Sequence, residues 1–228
     1  MLALTLRATN GRPTKVLCLG AHADDIEIGC GGTMLQLLAQ QRNLEFHWVV
    51  FSARGVRARE ARRSARLLLA RAGRVHVVVK NFRDGFFPYH AAKIKTFFEK
   101  LKATLSPDVI FTHYQADRHQ DHRLISELTW NTFRNHLILE YEIPKYDGDL
   151  GSPNVFVPLD DTIRRRKPRH LQSAFPSQRR RAWFSEDTFA GLMRLRGMEC
   201  AAPGGYAEAF YTRKLLLETR SAGNGGSG

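Results

Sequence analysis

The run Ala21-His22-Ala23-Asp24-Asp25 sets an imidazole and two adjacent carboxylates directly after the apolar stretch Val16-Leu17-Cys18-Leu19. Groups of this kind are costly to bury at the end of a strand unless a metal ion or an opposite charge compensates them. Far downstream, the segment from His113 to His122 packs three histidines (His113, His119, His122) and two aspartates (Asp117, Asp121) into ten positions. His119 and His122 are three residues apart and lie side by side on a helical turn, so one can hold a metal while the other faces a substrate. A catalytic zinc site takes three protein ligands and keeps one position open. His22, Asp25 and His122 supply such an N,O,N set for one Zn2+ per chain, with Fe2+ or Co2+ possible in its place because the set is weakly selective. Asp24 is then left beside the ion as a general base for the bound water. His119 is available to stabilise a developing oxyanion, with Asp121 orienting its ring and raising its pKa. The chemistry described is metal-assisted hydrolysis of an amide.

The elements that must position these groups alternate. Val16–Gly20, Phe46–Ser52, Val75–Lys80, Val109–Thr112 and Leu137–Glu142 read as strands. Between them, Thr33–Gln41, Arg57–Arg71, Ala91–Leu105 and Asp121–Phe133 read as helices; Ile94, Phe97, Phe98 and Leu101 make one apolar stripe. Repeated strand–helix units imply a Rossmann-like three-layer α/β/α fold with a mostly parallel sheet. Both clusters then fall just past strand C-terminal ends, where open α/β sheets place their ligands. Gly29-Cys30-Gly31-Gly32 lacks dinucleotide-binding spacing, and the second strand ends without an acid, which argues against a nicotinamide enzyme. These glycines are expected to let the backbone pass under the metal site and to open the next helix. Ile143–Asp160 breaks periodicity with Pro144, Gly148, Gly151, Pro153 and Pro158, and is expected to be a loop shaping the substrate pocket. Helices over Asp161–Ser173 and Glu186–Arg196 and a last strand at Ala209–Leu217 follow. Residues 1–220 read as a single domain and 221–228 as a flexible tail or linker.

Of 228 residues, 43% are hydrophobic and 25% charged, ordinary values for a globular enzyme. No apolar run is long enough to span a bilayer. Met1 to Asn10 lacks the regions of a signal peptide. Three scattered cysteines (Cys18, Cys30, Cys200) form neither a disulfide framework nor a cysteine zinc site, so a cytoplasmic location is expected. The net charge is +13, with arginines concentrated at Arg54–Arg74, Arg164–Arg169 and Arg179–Arg181. Such a surplus suits an anionic substrate, since guanidinium pairs bidentately with phosphate. It also suits a nucleic-acid binder, but the aromatics fall in core-like stripes rather than among exposed arginines, and nucleic acid is not expected as a partner.

The run Ala-His-Ala-Asp-Asp-x-Glu-x-Gly, with the downstream Asp-Arg-His-x-Asp-His, resembles the LmbE-like, or PIG-L, metal-dependent N-deacetylases. Their usual motifs are (Pro/Ala)-His-Pro-Asp-Asp-Glu and His-Pro-Asp-His. The resemblance implies an LmbE-like deacetylase domain with His22, Asp25 and His122 as zinc ligands, Asp24 as general base and His119 on the oxyanion. It adds Arg57, at the start of Arg-x-x-Glu-Ala, as a substrate-contacting arginine. It also implies a small N-acetyl sugar or sugar conjugate as substrate: known members deacetylate N-acetylglucosamine units of phosphatidylinositol glycolipids, thiol cofactors, chitobiose and antibiotic intermediates. The chain departs at Ala23, Ile26 and Gln120, none of which supplies a ligand. Two other readings remain open. One is a two-metal phosphoesterase, with Asp24, Asp117, Asp121 and His113 around a second ion. The other is a basic nucleic-acid-binding protein with a structural metal. The oligomeric state is not legible.

Overall fold

Both faces of the first strand are apolar and both are covered. β1 (Thr14–His22) sends Val16 and Cys18 into one core and Leu17, Leu19 and Ala21 into another, as a strand with helices on both sides must. The computed structural model describes residues 3–6, 12–41 and 43–217. The expected tail at 221–228 lies outside the described residues.

After β1 come α1 (Asp25–Gln40), β2 (Leu44–Ser52), α2 (Gly55–Leu68), β3 (Arg74–Val79), α3 (Ala91–Thr104), β4 (Val109–His113), α4 (Gln120–Thr132) and β5 (Leu137–Tyr141). The chain ends with β6 (Val155–Pro158), α5 (Asp161–Ala174), α6 (Glu186–Glu199) and β7 (Ala207–Tyr211). The strands form a seven-stranded sheet in the order β3-β2-β1-β4-β5-β7-β6. The first five strands are parallel, and β7 runs antiparallel between β5 and β6. Helices α1, α2, α5 and α6 close one face through Met34, Ala61, Ala65, Leu171 and Phe189. Helices α3 and α4 close the other through Ile94, Phe98 and Ile125. The three-layer, mostly parallel architecture is therefore the one the strand–helix alternation implies. From β1 the chain moves to β2 and β3 on one side, then to β4 and β5 on the other. Neighbouring β1 and β4 thus make a topological switch point, with His22 and His113 at their C-terminal ends.

The structure corrects the glycine segment. Helix α1 begins at Asp25, about two turns before the expected start at Thr33, so Gly29, Gly31 and Gly32 lie inside it. Glycine disfavours helix by about 1 kcal/mol relative to alanine, but packing overrides that preference. A Cβ on Gly29 would run into the ring carbons of Tyr141, and one on Gly32 would meet Glu208 and Leu159 at 2.8 Å. These glycines make room for β5 and β7, not for a metal. At Gly32 a buried ion pair plugs into the helix flank. Glu208 accepts the N–H groups of Gly32 and Thr33 at 2.7 and 2.6 Å, while Lys167 Nζ donates to Glu208 at 2.6 Å and to the carbonyl of Ile28 at 2.5 Å.

Two further differences lie near the C-terminus. Inside the expected loop Ile143–Asp160, Val155–Pro158 forms an edge strand, where flanking prolines are tolerated because one side needs no partner. The last strand, β7, spans Ala207–Tyr211 and stops well before Leu217. The buried Glu142 carboxylate fixes the start of the loop: it takes a bidentate guanidinium from Arg196 (2.8 and 2.9 Å) and accepts the amide of Gly151 and the hydroxyl of Tyr211. No helix among the described residues is long and apolar enough to cross a membrane.

Candidate active site

Strand β1 delivers His22 to the sheet's C-terminal edge, and α1 starts at once, turning Asp25 back beneath it. The Asp25 Oδ2 accepts the backbone N–H of His22 at 2.6 Å. Helix α4 starts just after His119 and brings His122 over the same point. Three donor atoms then converge: His22 Nδ1 lies 3.1 Å from His122 Nε2 and 3.3 Å from Asp25 Oδ2, and His122 Nε2 lies 3.6 Å from Asp25 Oδ2. Ligands about 2.0–2.1 Å from a tetrahedral ion sit about 3.3 Å apart.

The outer contacts decide which lone pairs face inward. His122 Nδ1 is engaged by Asp117 Oδ2 at 2.9 Å, and His22 Nε2 by Asp121 at 3.2 Å and Asp84 at 3.0 Å. Imidazoles that give these protons to carboxylates turn their other nitrogens toward each other and toward Asp25, where an ion would displace the proton that His22 Nδ1 shares with His122. Three acceptors facing one point suit a cation, and the carboxylate–histidine pairs are the usual outer support of a metal ligand. Burial, reinforced by His113, pushes His122 down to about 3, which keeps it neutral and ready to ligate. Burial also opposes charge on His22 and Asp25. The carboxylates around His22 nevertheless hold it well above the usual imidazole range, and His122, His22 and His113 hold Asp25 well below the usual carboxylate range. All three sequence-predicted ligands are therefore brought together.

Asp24 lines the same cleft, which has a volume of about 630 Å³. Its Oδ1 takes Arg57 Nη2 at 2.5 Å, while its buried Oδ2 has no hydrogen-bond partner among the described residues. Burial raises the Asp24 pKa, and Arg57 offsets part of that rise. Arg57, expected to contact substrate, is at the cleft but is tied to Asp24 and, at 3.2 Å, to Glu60. His119 is also at the cleft. Its Nδ1 accepts the amide of Asp121 at 3.2 Å, which leaves the proton on Nε2. Burial, followed by His22, lowers its pKa, which favours the neutral ring.

Asp121 meets the His119 ring through its backbone amide, and its charge acts to raise the His119 pKa, although burial outweighs it. The Asp121 carboxylate accepts the amides of Gly85 (2.7 Å) and Phe87 (3.0 Å) and faces His22. The second-ion set of Asp24, Asp117, Asp121 and His113 does not assemble. Asp117 is committed to His122, to Lys145 Nζ at 3.0 Å and to the His119 amide at 2.8 Å. His113 Nε2 accepts the amide of Ala21 at 2.9 Å. Sequence reasoning gave no role to Asp84 or Lys145. Asp117 and His113 stood in the downstream cluster, and that density was the available signal.

Cations ring the cleft: Arg54, Arg57, Arg83, Lys145 and Arg181 line it, with Phe82, Tyr146 and Trp183 among them. Segments 54–71 and 161–181 together hold fifteen Arg and Lys against only Glu60 and Asp161, a net +13 equal to that of the whole chain. They are adjacent in space: Ser64 Oγ lies 2.8 Å from His170 Nε2, and the Ser177 amide donates to Glu60 at 2.9 Å. Apart from Lys167, whose charge is buried against Glu208, these cations sit on neighbouring elements that reach the cleft through Arg54, Arg57 and Arg181.

Residues 17–133, more than half the chain, match the family PIG-L, GlcNAc-PI de-N-acetylase. The chain is 29% identical over 156 residues to the uncharacterized deacetylase YaiS of Escherichia coli K12, covering 63% of this chain and 82% of that one. The conserved protein TT1542 from Thermus thermophilus superposes with a TM-score of 0.68 at 20% identity, covering 90% and 96% of the two chains. The N,N'-diacetylchitobiose deacetylase from Pyrococcus horikoshii superposes with a TM-score of 0.62 at 22% identity, covering 86% and 82%. At these identities the structural likenesses speak for the fold. The family match and the relative define an enzyme of the hydrolytic N-deacetylase class. The chain belongs to the PIG-L family.

Proposed function

We propose that the protein is a metal-dependent N-deacetylase that releases acetate from an N-acetyl amino sugar, free or conjugated, with an anionic group on the substrate. The observation that supports this most is the convergence of His22 Nδ1, Asp25 Oδ2 and His122 Nε2 within 3.1–3.6 Å beside an Asp24 that has one unpartnered oxygen. A divalent ion held there, zinc or in its place iron(II) or cobalt(II), supplies Lewis acidity to the amide carbonyl and acidifies water.

The chain's own residues do the rest. Asp24 takes a proton from the attacking water and returns it to the leaving amine nitrogen, so acetate and a free amine result. Its burial keeps this carboxylate more basic than an exposed one. His119 donates from Nε2 to the oxyanion, a contact worth about 10²–10³ in rate for donors of this kind. Asp117 and Asp121 hold the two imidazoles in their ligating tautomers. Arg57 steadies Asp24, and the remaining cleft cations attract and orient an anionic substrate.

The test is acetate release by metal-loaded protein from N-acetyl sugars presented free, nucleotide-linked and oligomeric. Asp24→Asn is the control: it should keep the metal and lose turnover. Acetate release by that variant at the wild-type rate would remove Asp24 from the mechanism.

A further inference from the structure

At the end of the sheet remote from the cleft, β2 and β3 pair in parallel register with His47 directly opposite His76. The two imidazoles stack at 4.7 Å with 19° between their planes. Glu45 precedes His47 by two residues and so shares its face of the strand. The Glu45 Oε1 lies 2.8 Å from His47 Nε2 and 3.9 Å from His76 Nε2, and one ligand atom from each residue falls within 4.8 Å of the others. Glu45 is also paired with Lys15 of β1, seven residues before His22, which puts this cluster about 23 Å from the catalytic centre along the strands.

The chemistry of the three groups is that of ligands. Glu45 is 6% exposed, and a buried carboxylate needs compensation. Burial opposes its ionisation, but His47, Arg74 and Lys15 keep it below the usual range. Burial lowers His47, which stays neutral although Glu45 pulls the other way. Arg74 Nη1 lies 3.4 Å from Glu45, but its side chain is 68% exposed and free to swing into solvent. The His76 side chain is half exposed, so an ion reaches it without unfolding.

We propose that Glu45, His47 and His76 form a second site for a divalent transition metal, separate from the catalytic one. Two imidazoles and a carboxylate suit Zn2+, Ni2+ or Cu2+ and leave further positions to water. The ion would link the edge strand β3 to β2 and pin an end of the sheet that otherwise has a partner on one side only.

Zinc titration of the metal-stripped full chain by calorimetry, checked by elemental analysis, tests this. The expected stoichiometry is two Zn2+ for wild type, one for His76→Ala and one for His122→Ala. In the His122→Ala background zinc should raise the melting temperature, and adding His76→Ala should abolish that rise. His76→Ala alone should leave acetate release unchanged, so the outcome is independent of the deacetylase reading. Two ions retained by His76→Ala, or none bound by His122→Ala, would overturn the proposal.

Discussion

Replacing Asp117 by asparagine keeps the side chain's shape and removes its charge, at a point where three donors meet one carboxylate. Its Oδ2 faces His122 Nδ1 at 2.9 Å and Lys145 Nζ at 3.0 Å, and its Oδ1 accepts the His119 amide at 2.8 Å. An asparagine has one acceptor oxygen, so it can serve only one of these sides. Turned toward His122 and Lys145, it leaves the His119 amide facing an NH2 group, an unsatisfied donor costing about 1–3 kcal/mol of stability. Lys145 keeps Asp149 at 2.5 Å, so the fold survives. The His122 imidazole loses the charge that supports its basicity, and outer-contact changes of this kind weaken metal binding about 10–100-fold, or about 1.4–2.8 kcal/mol. Competition against a chromophoric chelator measures the affinity, and turnover at saturating metal separates it from chemistry. The expected result is a 10–100-fold weaker ion with kcat at saturation within a few-fold of wild type. Affinity within about twofold of wild type would refute the argument that Asp117 prepares His122 to ligate.

Arg57→Met removes the charge that holds Asp24 down against burial, so the Asp24 pKa should rise further. Because the proposed base acts ionised, the acid limb of kcat/KM should move to higher pH, and an unmoved limb would count against Asp24 as that base. His119→Ala should retain the metal and lower kcat about 10²–10³-fold with little change in KM; a metal-free variant would reverse the roles of His119 and His122. Gly29→Ala should cost about 1–3 kcal/mol or more in a denaturant titration. The reason is that Tyr141 cannot swing away: its hydroxyl is fixed to the Leu19 carbonyl at 2.6 Å. Gly31→Ala, whose nearest neighbour would be 3.7 Å away, should be tolerated, and equal losses at both positions would contradict the packing account.

Residue types and strand-end placement were enough to anticipate that His22, Asp25 and His122 meet. His22 and Asp25 follow one buried strand, His122 opens a helix after another, and parallel order brings those ends together. The strand order that puts β1 beside β4 came from the structure, since alternation alone does not set it. The contacts of Asp84 and Lys145, and that of the Asp121 carboxylate with His22, were not legible, because they depend on which ring nitrogen faces which neighbour across long separations. Asp84, for instance, reaches His22 from the segment after β3, with no periodic pattern to announce it. The glycines of α1 misled for a related reason: local propensity argues for a loop, and only the ring of Tyr141 and the carboxylate of Glu208 explain a helix there. β6 is four residues long and paired on one side, too short for its alternation to stand out.

The ion pair in the flank of α1 joins distant parts of the chain. The amide of Gly32 meets Glu208 across 176 residues, and the carbonyl of Ile28 meets Lys167 across 139. Every proposed ligand lies between His22 and His122, yet the helix carrying Asp25 gains its last backbone partners only when β7 arrives. A nascent chain would therefore hold the whole ligand set before it could hold it rigidly. The helix that carries Asp25 is thus braced by chain that lies after every proposed ligand.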